Sequence, residues 1–235
     1  MTLAVMQPYI FPYLGYFQLI NAVDTFVFFN DVNYIKKGWI NRNQILQNDT
    51  AIFFTVPLIK ASQNKLINET YIFDIENWRT SFLKKVEFCY RKSPNYNEVS
   101  TLIREIISNK TYKSISELAS DSVIKIGNYL GIDTEFVKSS DLDYDKNGTN
   151  GQHKIISIAQ LLSVNQYINP LNGLHLYKKE VFDKQNISLK FIEMEDIKYQ
   201  QNETNKFAPS LSIIDVLMFN SKKEVELLLQ KYILS

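Results

Sequence analysis

A single cysteine, Cys89, in 235 residues leaves no intrachain disulfide and no multi-cysteine zinc site. It sits between Phe88 and Tyr90 in an apolar stretch with helical spacing, which suits a buried structural thiol better than a nucleophile. The two histidines, His153 and His175, fall in different predicted elements, so no metal pair is implied. Seven glycines are few, and neither G-x-G-x-x-G nor a P-loop occurs. H-E-x-x-H, G-x-S-x-G and a Ser-His-Asp order are absent too. Lys plus Arg (26) nearly cancels Asp plus Glu (25), so no net field recruits a polyanion and a nucleic-acid partner is not expected. No apolar run is long enough to span a bilayer. The opening Met-Thr-Leu-Ala-Val-Met-Gln-Pro lacks the basic region of a signal peptide. The expectation is a cytoplasmic protein, in which the Asn-x-Thr matches at Asn68 and Asn202 are chance.

What is present is an ordinary globular composition, 45% hydrophobic with 13% aromatic residues. Leu3–Met6 reads as a buried strand, 15–23 as a helix with Tyr16, Leu19, Ile20 and Val23 on one face, and Thr25–Phe29 as a second buried strand. Strand, tight loop, helix and strand make a βαβ unit and favour a parallel sheet. Residues 34–45 mix polar and aromatic types, 51–58 alternates like a strand ending near an edge at Pro57, and 71–75 reads as a further short strand. Helices are predicted over 78–92, 99–108 and 114–130, the last closed by Gly131. A strand at 135–138 leads to the loop-like stretch 139–151, the composition of a linker or a mobile active-site loop. Helix 152–162, strand 166–168, helix 175–184, strand 188–193 and a last helical region 212–234 complete the chain. The alternation predicts an α/β fold with a parallel, Rossmann-like sheet, as one domain over 1–235 carrying a helical insertion at about 78–130.

Two segments carry the chemistry. Gln7-Pro8-Tyr9-Ile10-Phe11-Pro12-Tyr13-Leu14-Gly15-Tyr16 joins the first strand to the first helix, where open α/β sheets bind ligands. Its prolines would hold side chains in place, and Gly15 would allow close approach. A rigid aromatic core loop is the alternative. The second segment follows strand two: Asp31, Tyr34, Lys36, Lys37, Trp39, Asn41, Arg42 and Asn43. One carboxylate, a guanidinium and several amides suit a polar, polyhydroxylated or phosphorylated ligand, with Tyr34 and Trp39 able to stack on a sugar or base. Thr149 and Asn150 precede a helix and fit either a cap or a phosphate contact. Asp215, on an otherwise apolar helix, needs a partner if buried; an ion pair to Arg42 or a backbone cap would satisfy it.

Together these segments resemble the WbqC-like protein family. The match runs through Gln7-Pro8-Tyr9, Pro12, Gly15-Tyr16-Phe17, Asp24, Phe26-Val27, Asp31-Val32, Tyr34, Lys36, Trp39, Asn41-Arg42-Asn43 and Ile45. It continues at Val56-Pro57, Trp78, Tyr90, Ser139-Ser140, Thr149–Gly151, Gly173 with Tyr177, Tyr199 with Gln201, and Leu211–Asp215. The chain departs where relatives tend to carry a histidine after the equivalent of Trp78, since it reads Arg79-Thr80-Ser81-Phe82, and where they often have Ser-Gly, since it reads Asn169-Pro170. The family occurs in O-antigen and other surface-polysaccharide gene sets. The resemblance therefore implies a transferase that acylates or aminoacylates an amino sugar linked to a nucleotide. Its substrates are a small-molecule nucleotide sugar and an acyl donor; no particular cofactor is implied. In that reading Asp31 is general base or amine-orienting carboxylate, Arg42 and Lys36 bind phosphate or the donor carboxylate, and Gln7, Asn41 and Asn43 fix hydroxyls. Tyr9, Tyr13, Gly15, Tyr16, Tyr34, Trp39, Thr149, Tyr177 and Asp215 line the substrate. The opening also looks like that of nucleotidylyltransferases and pantothenate-synthetase-like ligases, with Tyr13-Leu14-Gly15-Tyr16 in place of their His-x-Gly-His. An ATP-dependent amide ligase is thus the second reading, and a non-catalytic sugar-nucleotide-binding or scaffold protein the third.

Overall fold

The structure, a computed structural model, describes residues 1–74, 77–109, 111–146, 151–195, 197–201 and 207–235. The chain opens with strand β1 (Thr2–Met6), helix α1 (Leu14–Asn21) and strand β2 (Thr25–Phe28). β1 and β2 pair in parallel from Leu3↔Thr25 to Met6↔Phe28, so the βαβ unit is present. The amide of Thr2 donates to the Asp24 carboxylate at 2.7 Å and the amide of Asp24 to the Thr2 hydroxyl at 2.8 Å, which pins the starts of both strands.

Strands β3 (Arg42–Gln47) and β4 (Thr50–Thr55) form a separate antiparallel hairpin. The sequence predicts β4 but not its partner, because Arg42-Asn43-Gln44 reads as polar loop. The turn residues Asn48 and Asp49 both have positive φ, 44° and 64°, the geometry of a two-residue hairpin connection that matches strand twist. Instead of a strand over 71–75, Tyr71 and Ile72 make only isolated bridges, to Ser114 and Leu58; Ile75 lies outside the described residues.

Helices α2 (Trp78–Tyr90), α3 (Tyr96–Ser108) and α4 (Ile115–Leu130) follow, as the helical insertion predicts. Ser114 and Glu117 form a capping box at the start of α4, and Gly131, at φ 73°, ends it in the left-handed conformation. Next come β5 (Glu135–Lys138), a 3-10 turn at Ser139–Asp141, α5 (Gly151–Leu161) and β6 (Gln166–Pro170). A 3-10 stretch over Leu171–Leu176 and a short α6 (Lys179–Asp183) replace the predicted helix 175–184. β7 (Ser188–Met194) follows. The predicted helix 212–234 is instead α7 (Ile213–Phe219), α8 (Lys222–Leu228) and strand β8 (Tyr232–Leu234). The break falls at extended Asn220, and Ser221 restarts the helix by capping with Glu224, a Ser-x-x-Glu signal legible in the sequence.

The main sheet has the order β5-β2-β1-β6-β7-β8, parallel except for β8. Counting the parallel strands alone, this is the Rossmann-like order 3-2-1-4-5 with β1 at its centre. Alternation along β1 assigns its faces: Ala4 joins the core that holds α1, α4 and α7, while Leu3 and Val5 join that of α5 and α6. Replacing Ser114 by Ala removes the cap that starts α4 and should lower stability by about 1 kcal/mol in urea unfolding, with the fold retained.

Candidate functional site

Because β5, β2, β1, β6 and β7 run in parallel, Ser139, Asn30-Asp31, Gln7, Asn169-Pro170 and Glu195 all emerge at one edge of the sheet. The strand order reverses between β1 and β6, the position at which such sheets open a crevice. At the tip of β2 the carboxylate of Asp31, with a side chain only 5% exposed, gathers three donors. Tyr144 donates to both oxygens at 3.0 and 3.1 Å, Ser139 donates to Oδ1, and Lys146 Nζ stands 2.8 Å from Oδ2. Burial, the largest single influence, would raise this carboxyl; the hydrogen bonds from Lys146, Ser139 and Tyr144, with the lysine's charge, outweigh it and hold Asp31 below the usual carboxylate range. Asn30 ties the same corner together by accepting from the Ser140 amide at 3.0 Å and donating to the Ser140 hydroxyl at 3.1 Å.

The loop between β1 and α1 is mostly core. Ile10 and Phe11 are fully buried, and Phe11, at φ 42°, stacks on Phe82 at 6.0 Å. Its backbone groups find side chains from distant segments. Asn43 Nδ2 donates to the carbonyls of Ile10 (3.2 Å) and Phe11 (2.9 Å), Ser212 Oγ to that of Phe11 (2.7 Å), and Ser122 Oγ accepts from the Phe11 amide (3.3 Å). Tyr16, also buried, donates to the Gln7 carbonyl at 2.8 Å. Pro8 and Pro12 bring no N–H to be satisfied there. A Cβ at Gly15 would come within 2.5 Å of the Tyr13 ring, so a larger residue there would displace that ring.

The sequence-nominated residues therefore divide. Gln7, Tyr9 and Tyr13 are partly exposed at the strand tips, and burial raises the hydroxyls of Tyr9 and Tyr13. Tyr16, Asn43, Tyr34 and Asn41 spend their polar groups internally; Tyr34 donates to Asn41 at 2.8 Å, and Asn41 to the Val56 carbonyl at 2.8 Å. Arg42 does not meet Asp31 or Asp215 in any ion pair. Its Nε donates to the Gly38 carbonyl at 3.1 Å, another N–H to that of Lys37, and its plane lies 4.6 Å over Phe53. Trp39, 41% exposed, stacks on Phe53, and Lys36 is exposed in the same loop. Tyr177 packs edge-on to Tyr167 at 5.6 Å on the far side of β6. Thr149 lies outside the described residues.

Asp215 is fully buried and meets neither Arg42 nor a backbone cap. Tyr90 donates to Oδ1 at 2.9 Å and Tyr199 to Oδ2 at 3.0 Å. Both tyrosine oxygens in turn accept an N–H, from the Leu46 amide and from Gln201 Nε2, which aims their protons at the carboxylate. Burial pushes the Asp215 carboxyl up to about 6 despite these three residues. Half-buried Cys89 has a thiol raised by burial, as a structural thiol would. Arg79, beside Trp78 at the start of α2, binds the Ile107 and Asn109 carbonyls and pairs with Asp74 at 3.1 Å.

Sequence reasoning missed Ser139, Tyr144 and Lys146 as partners of Asp31, and Tyr90, Tyr199 and Gln201 as partners of Asp215. The signal was available only in part: Ser139-Ser140, Tyr90, Tyr199 and Gln201 stand in the pattern of resemblance, whereas Tyr144 and Lys146 lie in a stretch that reads as loop. Among the described residues no group of three His, Cys, Asp or Glu could hold a metal ion, and no helix is long and apolar enough to cross a membrane.

The profile of the WbqC-like protein family matches residues 7–227, nearly the whole chain. The chain belongs to the WbqC-like protein family. A relative described as uncharacterized protein Rv1507c, from Mycobacterium tuberculosis (strain ATCC 25618 / H37Rv), is 27% identical over 218 residues, covering 92% of each chain. No solved structure matches. The WbqC-like match takes in the Asp31, Asn43 and Asp215 networks together.

Two outcomes follow for this WbqC-like chain. With its folded carboxyl near 6 and an unfolded one near 3.8, Asp215 binds its proton more tightly when folded, so the stability it contributes is present below pH 4 and lost as pH rises through 6. Asp215→Asn, a neutral isostere, should flatten that part of the profile, a difference of about 3 kcal/mol between wild type and variant across pH 4–7 in urea titrations. Arg42→Ala should cost about 1–3 kcal/mol by unbinding the 37–38 carbonyls, read as a lower Tm at every pH.

Proposed function

We propose that this protein transfers an acyl or aminoacyl group to the amino group of a nucleotide-linked amino sugar in surface-polysaccharide biosynthesis. The observation that carries the reading is the Asp31–Lys146 pair. An ionised, nearly buried carboxylate at the tip of β2 holds an ammonium at 2.8 Å, and that ammonium belongs to a side chain 49% exposed. A substrate amine replacing Lys146 would meet the same carboxylate, with the Tyr144 and Ser139 hydroxyls fixing its orientation. A carboxyl held below its usual range is a weak base, so Asp31 is assigned to amine orientation rather than proton abstraction. The docked ammonium gives one proton to water; the neutral amine then attacks the donor's acyl carbonyl, the C–N bond forms, and the bond from acyl carbon to leaving group breaks. The amine's proton departs with the leaving group or to water.

Gln7 and Tyr9, just past the end of β1, would supply an amide and a hydroxyl for sugar oxygens. Arg42, bound to its own loop, is given a supporting role here. Membership of the WbqC-like family supports the polysaccharide setting.

The test is incubation with a panel of nucleotide-linked amino sugars and acyl-thioester or aminoacyl donors, followed by mass spectrometry. Wild type should add the acyl mass to one sugar, and Asp31→Asn should lower kcat by about 10²-fold, the scale of a misoriented nucleophile, without lowering Tm by more than a few degrees. Full turnover by Asp31→Asn would remove the role assigned to it. Product that appears only with ATP, with release of AMP or ADP, would make the protein a ligase. Saturable sugar-nucleotide binding with no product from any donor would make it a binding protein.

A further inference from the structure

Across the strand tips from Asp31, a cleft of about 440 Å³ opens beyond the end of β7. That volume lies within the range of small-molecule sites. Its described walls combine three kinds of chemistry. Tyr13, Met194, Tyr199 and Phe207 supply apolar and aromatic surface, with the Tyr199 and Phe207 rings edge-to-face at 5.2 Å. Glu195 supplies a carboxylate and Lys198 an ammonium, both on exposed residues. The aromatic wall is rigid, because Tyr199 is fastened from behind by Asp215 at 3.0 Å and Gln201 at 2.9 Å.

We infer that this cleft binds a nucleoside diphosphate, with the base against Phe207 and Tyr199, the ribose hydroxyls on Glu195 and a phosphate on Lys198. Aromatic faces hold bases of any sequence by stacking, a carboxylate can accept hydrogen bonds from both hydroxyls of a ribose diol, and an ammonium binds phosphate as a point charge. The order β2-β1-β6-β7 puts three inter-strand steps between the tip of β2 and that of β7, about 14 Å at the usual strand spacing. An extended nucleoside diphosphate sugar spans a comparable reach, so the base would occupy the cleft while the sugar's amine meets Asp31. That last placement rests on the function proposed above; nucleotide binding by the cleft does not.

Isothermal titration with uridine, adenosine, guanosine and thymidine diphosphates tests the cleft without any acyl donor. At least one should bind wild type saturably. Phe207→Ala, which removes a wall, and Met194→Trp, which fills the space from a partly exposed position, should each weaken it by about tenfold or more. Asp31→Asn should stay within about twofold. Circular dichroism confirms that each variant is folded, and two independent variants guard against one that is not. If none of the four binds, or if binding ignores both cleft variants, the inference is overturned. If a diphosphate binds in the cleft but its amino-sugar conjugate gains nothing that Asp31→Asn removes, the cleft stands and the transfer reading falls. Preference for adenosine diphosphate would support the cleft and point to ATP as the source of its ligand.

Discussion

An irregular backbone segment runs through the middle of this protein, and its hydrogen bonds decide where everything else goes. Residues 7–13 leave the central strand and pass beneath the hairpin, α4 and α7 with Ile10 and Phe11 sealed from solvent. A buried loop has no ladder to satisfy its polar groups, and each one left unmatched costs roughly 1–3 kcal/mol. Asn43 from β3, Ser122 from α4 and Ser212 at the head of α7 meet them one by one, and the Ile213 amide adds a bond to the Pro12 carbonyl. Phe11 holds a left-handed backbone, which costs about 1–2 kcal/mol for a residue with a side chain; its stacked packing on Phe82 and its edge contact with Phe54 are what keep it there. Elements far apart in sequence are thereby fixed to the tip of β1.

That arrangement explains what could be read from the sequence and what could not. Period and punctuation are local, so β1, α1, β2, the three helices of the insertion and the parallel strands were legible from apolar spacing and caps. The network around residues 7–13 is not local. Asn41, Arg42 and Asn43 look like ligand-binding groups because a string of amides and a guanidinium beside a tryptophan shows no partner in the local pattern; the two asparagines bind carbonyls of other segments, and Arg42 folds back on the carbonyls of its own loop. The same lack of locality hid β3, whose Asn43 faces the buried Ile10 and Phe11 carbonyls rather than water. Asp31 was legible from its place at the end of an apolar run, but its cation was not, since Lys146 sits in a stretch whose composition shows only a loop.

Two buried carboxylates illustrate how environment separates residues of one type. Asp31 has a cation and hydroxyls, stays ionised, and stabilises the fold at neutral pH, a contribution lost as acid protonates it through its lowered pKa. Asp215 has neutral partners and no cation, so burial prevails and its charge is unfavourable at neutral pH. The first can serve an incoming cation, whereas the second fits the support of an aromatic wall. Tyr199 links it to the cleft, so one residue belongs both to the core and to a surface a ligand could touch.

The antiparallel strand β8 has a consequence for synthesis on the ribosome. β7 pairs with β6 on one side and with Tyr232–Leu234 on the other, and Gln18 of α1 holds the nearby Leu228 and Lys231 carbonyls at 2.8 and 2.9 Å. Until the chain has been made and released from the exit tunnel through residue 234, β7 presents an unpaired edge and Gln18 lacks its acceptors. Such an edge is a template for pairing between nascent chains. The interval of greatest risk for this molecule is thus the time between emergence of β7 and arrival of β8, during which a chaperone able to cover one strand edge would have the most to protect.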